Sequence, residues 1–208
     1  AGLALNERGY HRLRDTGLGE VPFAGAATQS FSQRNAGASV DAALEDGERI
    51  VARAKEDGIQ ASVTISVAFG CPFEGRVDPK RVVEIAERLA ASDPDELVLA
   101  DTIGVGTPSR VRGLLERVIA LGKPVGGHFH NTRNTGFANA YAALEAGAAS
   151  LDASVGGLGG CPFAPGAAGN LATEDLLYML DGLGIHTGVS LAGVVEASRG
   201  IEACLGHA

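Results

Sequence analysis

Five short runs of β-branched and apolar residues recur along the chain: EVPFAGAAT from Glu20, QASVTISVAF from Gln60, ELVLAD from Glu96, PVGGHFHN from Pro124 and SLDASVGG from Ser150. Each is followed by a stretch in which apolar residues return every three or four positions, the period of a helix with one buried face. After the second run the pattern predicts a helix capped by Asp78, with Pro79 at its first position and Val82, Val83, Ala86 and Leu89 on one side. After the third, Thr107 and Pro108 repeat the device, and Val111, Leu114, Leu115, Val118 and Ile119 form the stripe that ends at Gly122. Strands alternating with helices every ~25 to 40 residues predict βαβ units and a parallel sheet, either an open doubly wound sheet or a closed eight-stranded barrel.

The segments that follow the strands are polar or glycine-rich: ATQSFSQRN, FGCPFEG, ADTIGVGTP, HFHNTRN and GGLGGCPFAPGAAGN. Loops of that kind crowning one rim favour the barrel, whose function resides at the carboxyl ends of its strands. Five strands, with a possible sixth ending in LALN at residues 3–6, are too few to close it, and such barrels typically take about 250 residues. The expectation is one α/β domain over residues 1–208, a TIM (β/α)8-type barrel incomplete at its N-terminus, with about five to six strands.

Composition narrows the function classes. A chain of 208 residues that is 45% hydrophobic and 20% charged is expected to fold around one sizeable core. Its net charge of -8, without a Lys/Arg cluster, argues against nucleic acid as a partner. No apolar run approaches the ~20 residues of a membrane-spanning helix, so no membrane is expected. Three cysteines are too few for a disulfide scaffold and point to reduced thiols in a cytoplasmic setting.

In a strand, alternate side chains share a face, so His128 and His130 point together and Phe129 points away. Two imidazoles side by side are either metal ligands or hydrogen-bonded histidines at a strand end. Asn170, at the end of GAAGN and just before a helix begun by Thr173, Glu174 and Asp175, tips the balance toward a metal. Two ring nitrogens and an amide oxygen suit Mg²⁺ or Mn²⁺ better than structural zinc. Asp101, ending ELVLAD, could hydrogen-bond a substrate hydroxyl or orient a metal ligand; the alternative is a carboxylate that accepts from the amides of TIGVG. The glycines of GGLGGCP match neither a dinucleotide fingerprint nor a P-loop. Cys161 shares that glycine-rich loop with Asn170 and could pass a proton, whereas Cys71 reads as packed at the rim and Cys204 as core beside Val194, Ala197 and Ile201.

The segments ADTIGVGTP, HFHNT and, above all, SVGGLGGCPFAPGAAGNLATEDLLYMLDGLGIHTGV resemble the 3-hydroxy-3-methylglutaryl-CoA lyases of the DRE-TIM metallolyase superfamily, over roughly residues 6–188. The resemblance implies a TIM barrel that uses a divalent cation, Mg²⁺ or Mn²⁺, to cleave 3-hydroxy-3-methylglutaryl-CoA to acetoacetate and acetyl-CoA. It implies His128, His130 and Asn170 as metal ligands and Cys161, His128 and Asp101 as catalytic residues. ATQSFS corresponds to the family's segment near CoA, so Ser30, Ser32 and Asn35, together with Arg133, are the expected acyl-CoA contacts; a homodimer is implied at full length. The family's first strand, with its Arg-Asp pair, has no counterpart here, and the chain starts near the end of the third strand. Asn131 stands where the family has Asp, and Arg133-Asn134 stands where it has Tyr-Gly. A related acyl-CoA synthase or aldolase, and a non-catalytic fragment with a partial metal site, are the competing readings.

Overall fold

The computed structural model describes residues 1–160 and 169–206. Along the chain run α1 (Glu7–Arg14), β1 (Glu20–Ala26), α2 (Gln29–Ala36), α3 (Val40–Asp57), β2 (Gln60–Ser66), α4 (Pro79–Ala90) and β3 (Glu96–Asp101). There follow α5 (Pro108–Ile119), β4 (Val125–Phe129), α6 (Gly136–Ala146), β5 (Ser150–Asp152), a 3-10 turn at Val155–Gly157, α7 (Thr173–Gly182) and α8 (Leu191–Leu205). The five strands form one sheet in sequential order with every neighbouring pair parallel. The LALN segment adds a partial sixth member. Ala4 bridges in parallel to Phe23, and the amides of Gly2 and Ala4 donate to the carbonyls of Glu20 and Pro22 at 3.0 and 2.9 Å.

Parallel pairing puts side chains in rows across the sheet. Phe23, Val63, Leu97 and Val125 are mutual register partners, and with Val21, Ile65, Leu99 and Phe129 they face the helices at 1% exposure or less. Val82, Ile85, Ala86 and Leu89 of α4 and Val111, Leu114, Leu115 and Val118 of α5 complete that layer. Burial on both sides is why the strands read as nearly continuous apolar runs. The opposite row contains Glu96, Val98, Ala100, Gly126, His128, Ser150 and Asp152, and carries the polar chemistry.

Helix starts follow the local signals. The Asp78 carboxylate accepts from the Lys80 amide at 2.9 Å. Thr107 occupies the same position in α5 without a side-chain cap, and Pro108 supplies the helical φ. Cys71 is buried at the rim, as expected; Thr28 Oγ1 donates to its sulfur at 3.1 Å.

Cys204 does not belong to the core: it is exposed, and no residue of α8 is buried. That helix rests on α7 and the 3-10 turn rather than on the sheet. Val194, Val195, Ser198 and Ile201 are its half-buried positions.

Helix α3 approaches β1 through Gly47. A Cβ there would lie 2.6 Å from Cε1 of Phe23, which is fully buried. Helix propensity alone favours alanine over glycine by about 1 kcal/mol, but overpacking a rigid ring costs about 1–3 kcal/mol. Gly47→Ala should therefore lower the urea midpoint; a raised midpoint would show that Phe23 gives way freely.

On the amino-terminal side of the sheet, Asp93 takes ion pairs from Lys123 and Lys55. Their hydrogen bonds and charges hold its carboxyl down at about 2. An unfolded Asp titrates near pH ~3.9, so the stabilisation is present above that value and disappears as pH falls toward the folded one. Asp93→Asn should destabilise the protein near neutrality, and the gap from the unsubstituted chain should shrink in melts between about pH 5 and about pH 3.

Candidate active site

Strand β4 is shaped by two glycines. A Cβ at Gly127 would lie 2.5 Å from the ring of Phe129, and one at Gly126 would lie 3.0 Å from Glu96 Oε1. The bare backbone at Gly126 lets Ser150 Oγ of β5 donate to Glu96 Oε1 of β3 at 2.5 Å, across the strand between them. That clasp holds the β4–β5 register, Gly126 opposite Ser150 and His128 opposite Asp152.

His128 and His130 point together, with ring centroids 5.2 Å apart, while Phe129 is buried on the other side. His128 is partly open to solvent, and its Nδ1 lies 3.1 Å from Asp152 Oδ2. His130 is 4% exposed and its Nδ1 has no hydrogen-bond partner among the described residues. Burial, and secondarily the neighbouring His128, push its pKa down to about 4, so its ring is neutral and carries a lone pair at physiological pH.

Asn170 is brought to the same place by backbone pairing. His130 and Asn170 form an antiparallel bridge, and the Asn131 amide donates to Gly169 O at 3.1 Å. The Asn170 side chain donates through Nδ2 to Leu158 O at 2.9 Å, and its Oδ1 is buried without a partner among the described residues. Gly159 is required here, since a Cβ would lie 2.6 Å from that Nδ2. Two buried acceptors with nothing to accept, beside a half-exposed imidazole, form a donor set suited to a divalent cation.

For Asp101 the geometry is that of the second sequence reading, a carboxylate accepting from loop amides. It pairs with Phe129 and shares that residue's face, away from the histidines. Its two oxygens accept from the amides of Val105 and Gly106 at 2.9 and 2.8 Å. Burial raises its pKa, an effect opposed by those amides and by Arg110 and Arg133. Both oxygens are thereby engaged in holding the β3–α5 loop closed. The loop in turn abuts His130, whose carbonyl would lie 3.0 Å from a Cβ at Gly104.

The departures around 131–134 have local explanations. Asn131 Oδ1 accepts from the Gly136 amide at the start of α6, at 3.1 Å, a task either Asn or Asp performs. Asn134 has φ 57, a left-handed conformation that explains the glycine in the family pattern and makes Asn the natural replacement. Arg133 is exposed and donates through Nη1 to the carbonyls of Ile103 and Gly104 at 2.8 and 3.2 Å.

Ser30, Ser32 and Asn35 lie on α2 beyond β1, three strands from β4 along the same rim. The Ser30 amide donates to Glu74 at 2.6 Å; Ser32 is 1% exposed, so Ser30 and Asn35 are the reachable pair. Cys161 lies outside the described residues. The stems on either side of it are paired: Gly169 donates to Gly159 O at 3.0 Å and Asn170 to Gly157 O at 3.1 Å. Glu174 fastens the near stem, both its oxygens accepting from the Gly156 amide at 3.0 Å. Asp152 went unnoticed in the sequence. An acidic residue closing a strand was the available signal, but only the register reveals its partner.

Known proteins share this architecture. A (R)-citramalyl-CoA lyase from Chloroflexus aurantiacus is 42% identical over 99% of this chain and 65% of its own length. A 3-hydroxy-3-isohexenylglutaryl-CoA/hydroxymethylglutaryl-CoA lyase from Pseudomonas aeruginosa is 43% identical over 99% of this chain and 69% of its own. The crystal structure of hydroxymethylglutaryl-CoA lyase from Pseudomonas aeruginosa superposes with TM-score 0.91 at 42% identity, covering 99% of this chain and 69% of the other. The chain spans about half to two thirds of the length of the curated relatives it matches, from 53% to 69%. The sheet is thus part of a TIM barrel. The HMGL-like family model matches residues 3–201, and with that span and these relatives the chain belongs to the HMGL-like family.

Proposed function

We propose that this chain carries the cation-binding and carbon–carbon-cleaving face of an acyl-CoA lyase. Its substrate would bear a hydroxyl on C3 and break to acetyl-CoA and an oxo acid; 3-hydroxy-3-methylglutaryl-CoA, giving acetoacetate, is the leading candidate. The observation that carries this reading is a buried ring nitrogen, His130 Nδ1, and a buried amide oxygen, Asn170 Oδ1, neither with a partner among the described residues, with His128 beside His130. A relative named for citramalyl-CoA matches about as well as those named for hydroxymethylglutaryl-CoA, so the substrate class is broader than one acid.

His128 and His130 would hold the cation through ring nitrogens and Asn170 through Oδ1, a set that fits Mg²⁺ or Mn²⁺. When bound, the cation supplies Lewis acidity that lowers the pKa of a hydroxyl beside it. His128 stands at the open side of the pair with Nδ1 beside Asp152, which leaves Nε2 as the ring nitrogen that would hold the cation. Asp101 keeps the β3–α5 loop packed against His130 and acts by positioning. Arg133, anchored on that loop, adds positive charge at the mouth, where an acyl-CoA carries negative groups. Cys161 is the proposed acid that returns a proton to the acetyl-CoA enolate, since a thiol is a far stronger acid than a hydroxyl.

Titration calorimetry with Mn²⁺ tests the cation site: replacing His128 and His130 together by Ala should weaken binding by at least about tenfold. Affinity that ignores both replacements would place the cation elsewhere.

Turnover tests the cysteine in the natural full-length protein, by acetoacetate release. Cys161→Ser should lower kcat by about 10²-fold or more while leaving Mn²⁺ affinity largely intact. Cys71→Ser, at a buried rim position, should act mainly on the melting temperature. Equal losses of kcat would remove Cys161 from the mechanism.

A further inference from the structure

We infer that Asp152 is a positioning residue that selects the Nδ1–H tautomer of His128 and so reserves Nε2 for the cation; the inference rests on the metal reading proposed above. A carboxylate accepts and cannot donate, so a contact of 3.1 Å between Asp152 Oδ2 and His128 Nδ1 places the ring hydrogen on Nδ1. The bare nitrogen is then Nε2. Fixing a ligand's tautomer and orientation through its other nitrogen is how an outer partner strengthens a metal site.

The contact is built into the fold at some distance from the site. Val98, Gly126 and Ser150 are register partners on β3, β4 and β5, on the face that carries the histidines, and Glu96 stands two residues before Val98 on that same face. Because Gly126 has no side chain, Glu96 can reach over it to Ser150 and lock the short edge strand β5 in register. Two residues further along, that register sets Asp152 directly opposite His128. A slip of one residue would turn Asp152 to the other face and replace it with Leu151 or Ala153.

Nitrogen-detected NMR on the metal-free protein reads the tautomer directly. At a pH well above the ordinary histidine pKa, His128, assigned by its absence from the His128→Ala spectrum, should show a protonated Nδ1 and a bare Nε2. Asp152→Ala should bring in the other tautomer and weaken Mn²⁺ binding about tenfold or more. Asp152→Asn, which retains an acceptor oxygen, should keep the tautomer and recover most of the affinity. The inference is overturned if Asp152→Ala leaves either the tautomer or the affinity unchanged. Should Asp152→Ala fail to fold, Asp152→Ser, too short to reach the ring, carries the same expectations. Mn²⁺ affinity indifferent to both histidines would instead sink the metal reading while leaving the tautomer result intact.

Discussion

The candidate site depends on backbones coming closer together than side chains allow. Gly126 lets β3 and β5 clasp over β4, Gly104 lets the β3–α5 loop lie against His130, and Gly159 leaves room for the Asn170 amide. Each contact is individually modest, about 1 kcal/mol for an ordinary hydrogen bond. Together they determine where three side chains from two separate segments meet. A methyl group at any of these positions would move a ligand rather than merely loosen the core.

The helix layer and the polar rim have different architectures. Phe23, Val63, Leu97 and Val125 form a row against α3, α4 and α5 that needs only apolar volume and good fit. The rim needs direction. Val67, a β-branched residue at φ 53 just past β2, gives its amide to Thr102 Oγ1 at 2.8 Å, a strained backbone held by a neighbouring loop. Arg110 ties the same two loops by donating to the carbonyls of Val105 and Phe69. Such cross-ties explain how polar and glycine-rich loops can be rigid enough to carry a binding site.

Elements governed by local chemistry were legible in the sequence. Apolar runs, the Asp78 cap and the prolines opening α4 and α5 act within a few residues of where they stand, and all five strands are found where the pattern placed them. Alternation along a strand likewise put His128 and His130 on one face. What depends on pairing between distant segments was not legible. Asp101 and Asp152 both close strands, yet register turns one toward the helices and sets the other beside an imidazole. Cys204 shows the same limit: a helix with an apolar side reads as core, but what covers that side is decided elsewhere, and among the described residues α8 packs mainly on α7 and the 3-10 turn.

Asn170 has one further consequence. Its Nδ2 is bonded to the carbonyl of Leu158 and its backbone amide to that of Gly157, while its backbone also bridges to His130, 40 residues earlier in the chain. An ion held between Oδ1 and the imidazoles would therefore act as a removable cross-link, joining the end of β4 to the base of the glycine-rich stem. Mass action makes such a cross-link a source of conformational stability. At a free ion concentration of about 100 times the Kd, it adds ~2.7 kcal/mol to the folded state, provided the unfolded chain does not bind. The fold at this rim would then be a function of ion supply, firm where the cation is plentiful and looser where it is scarce.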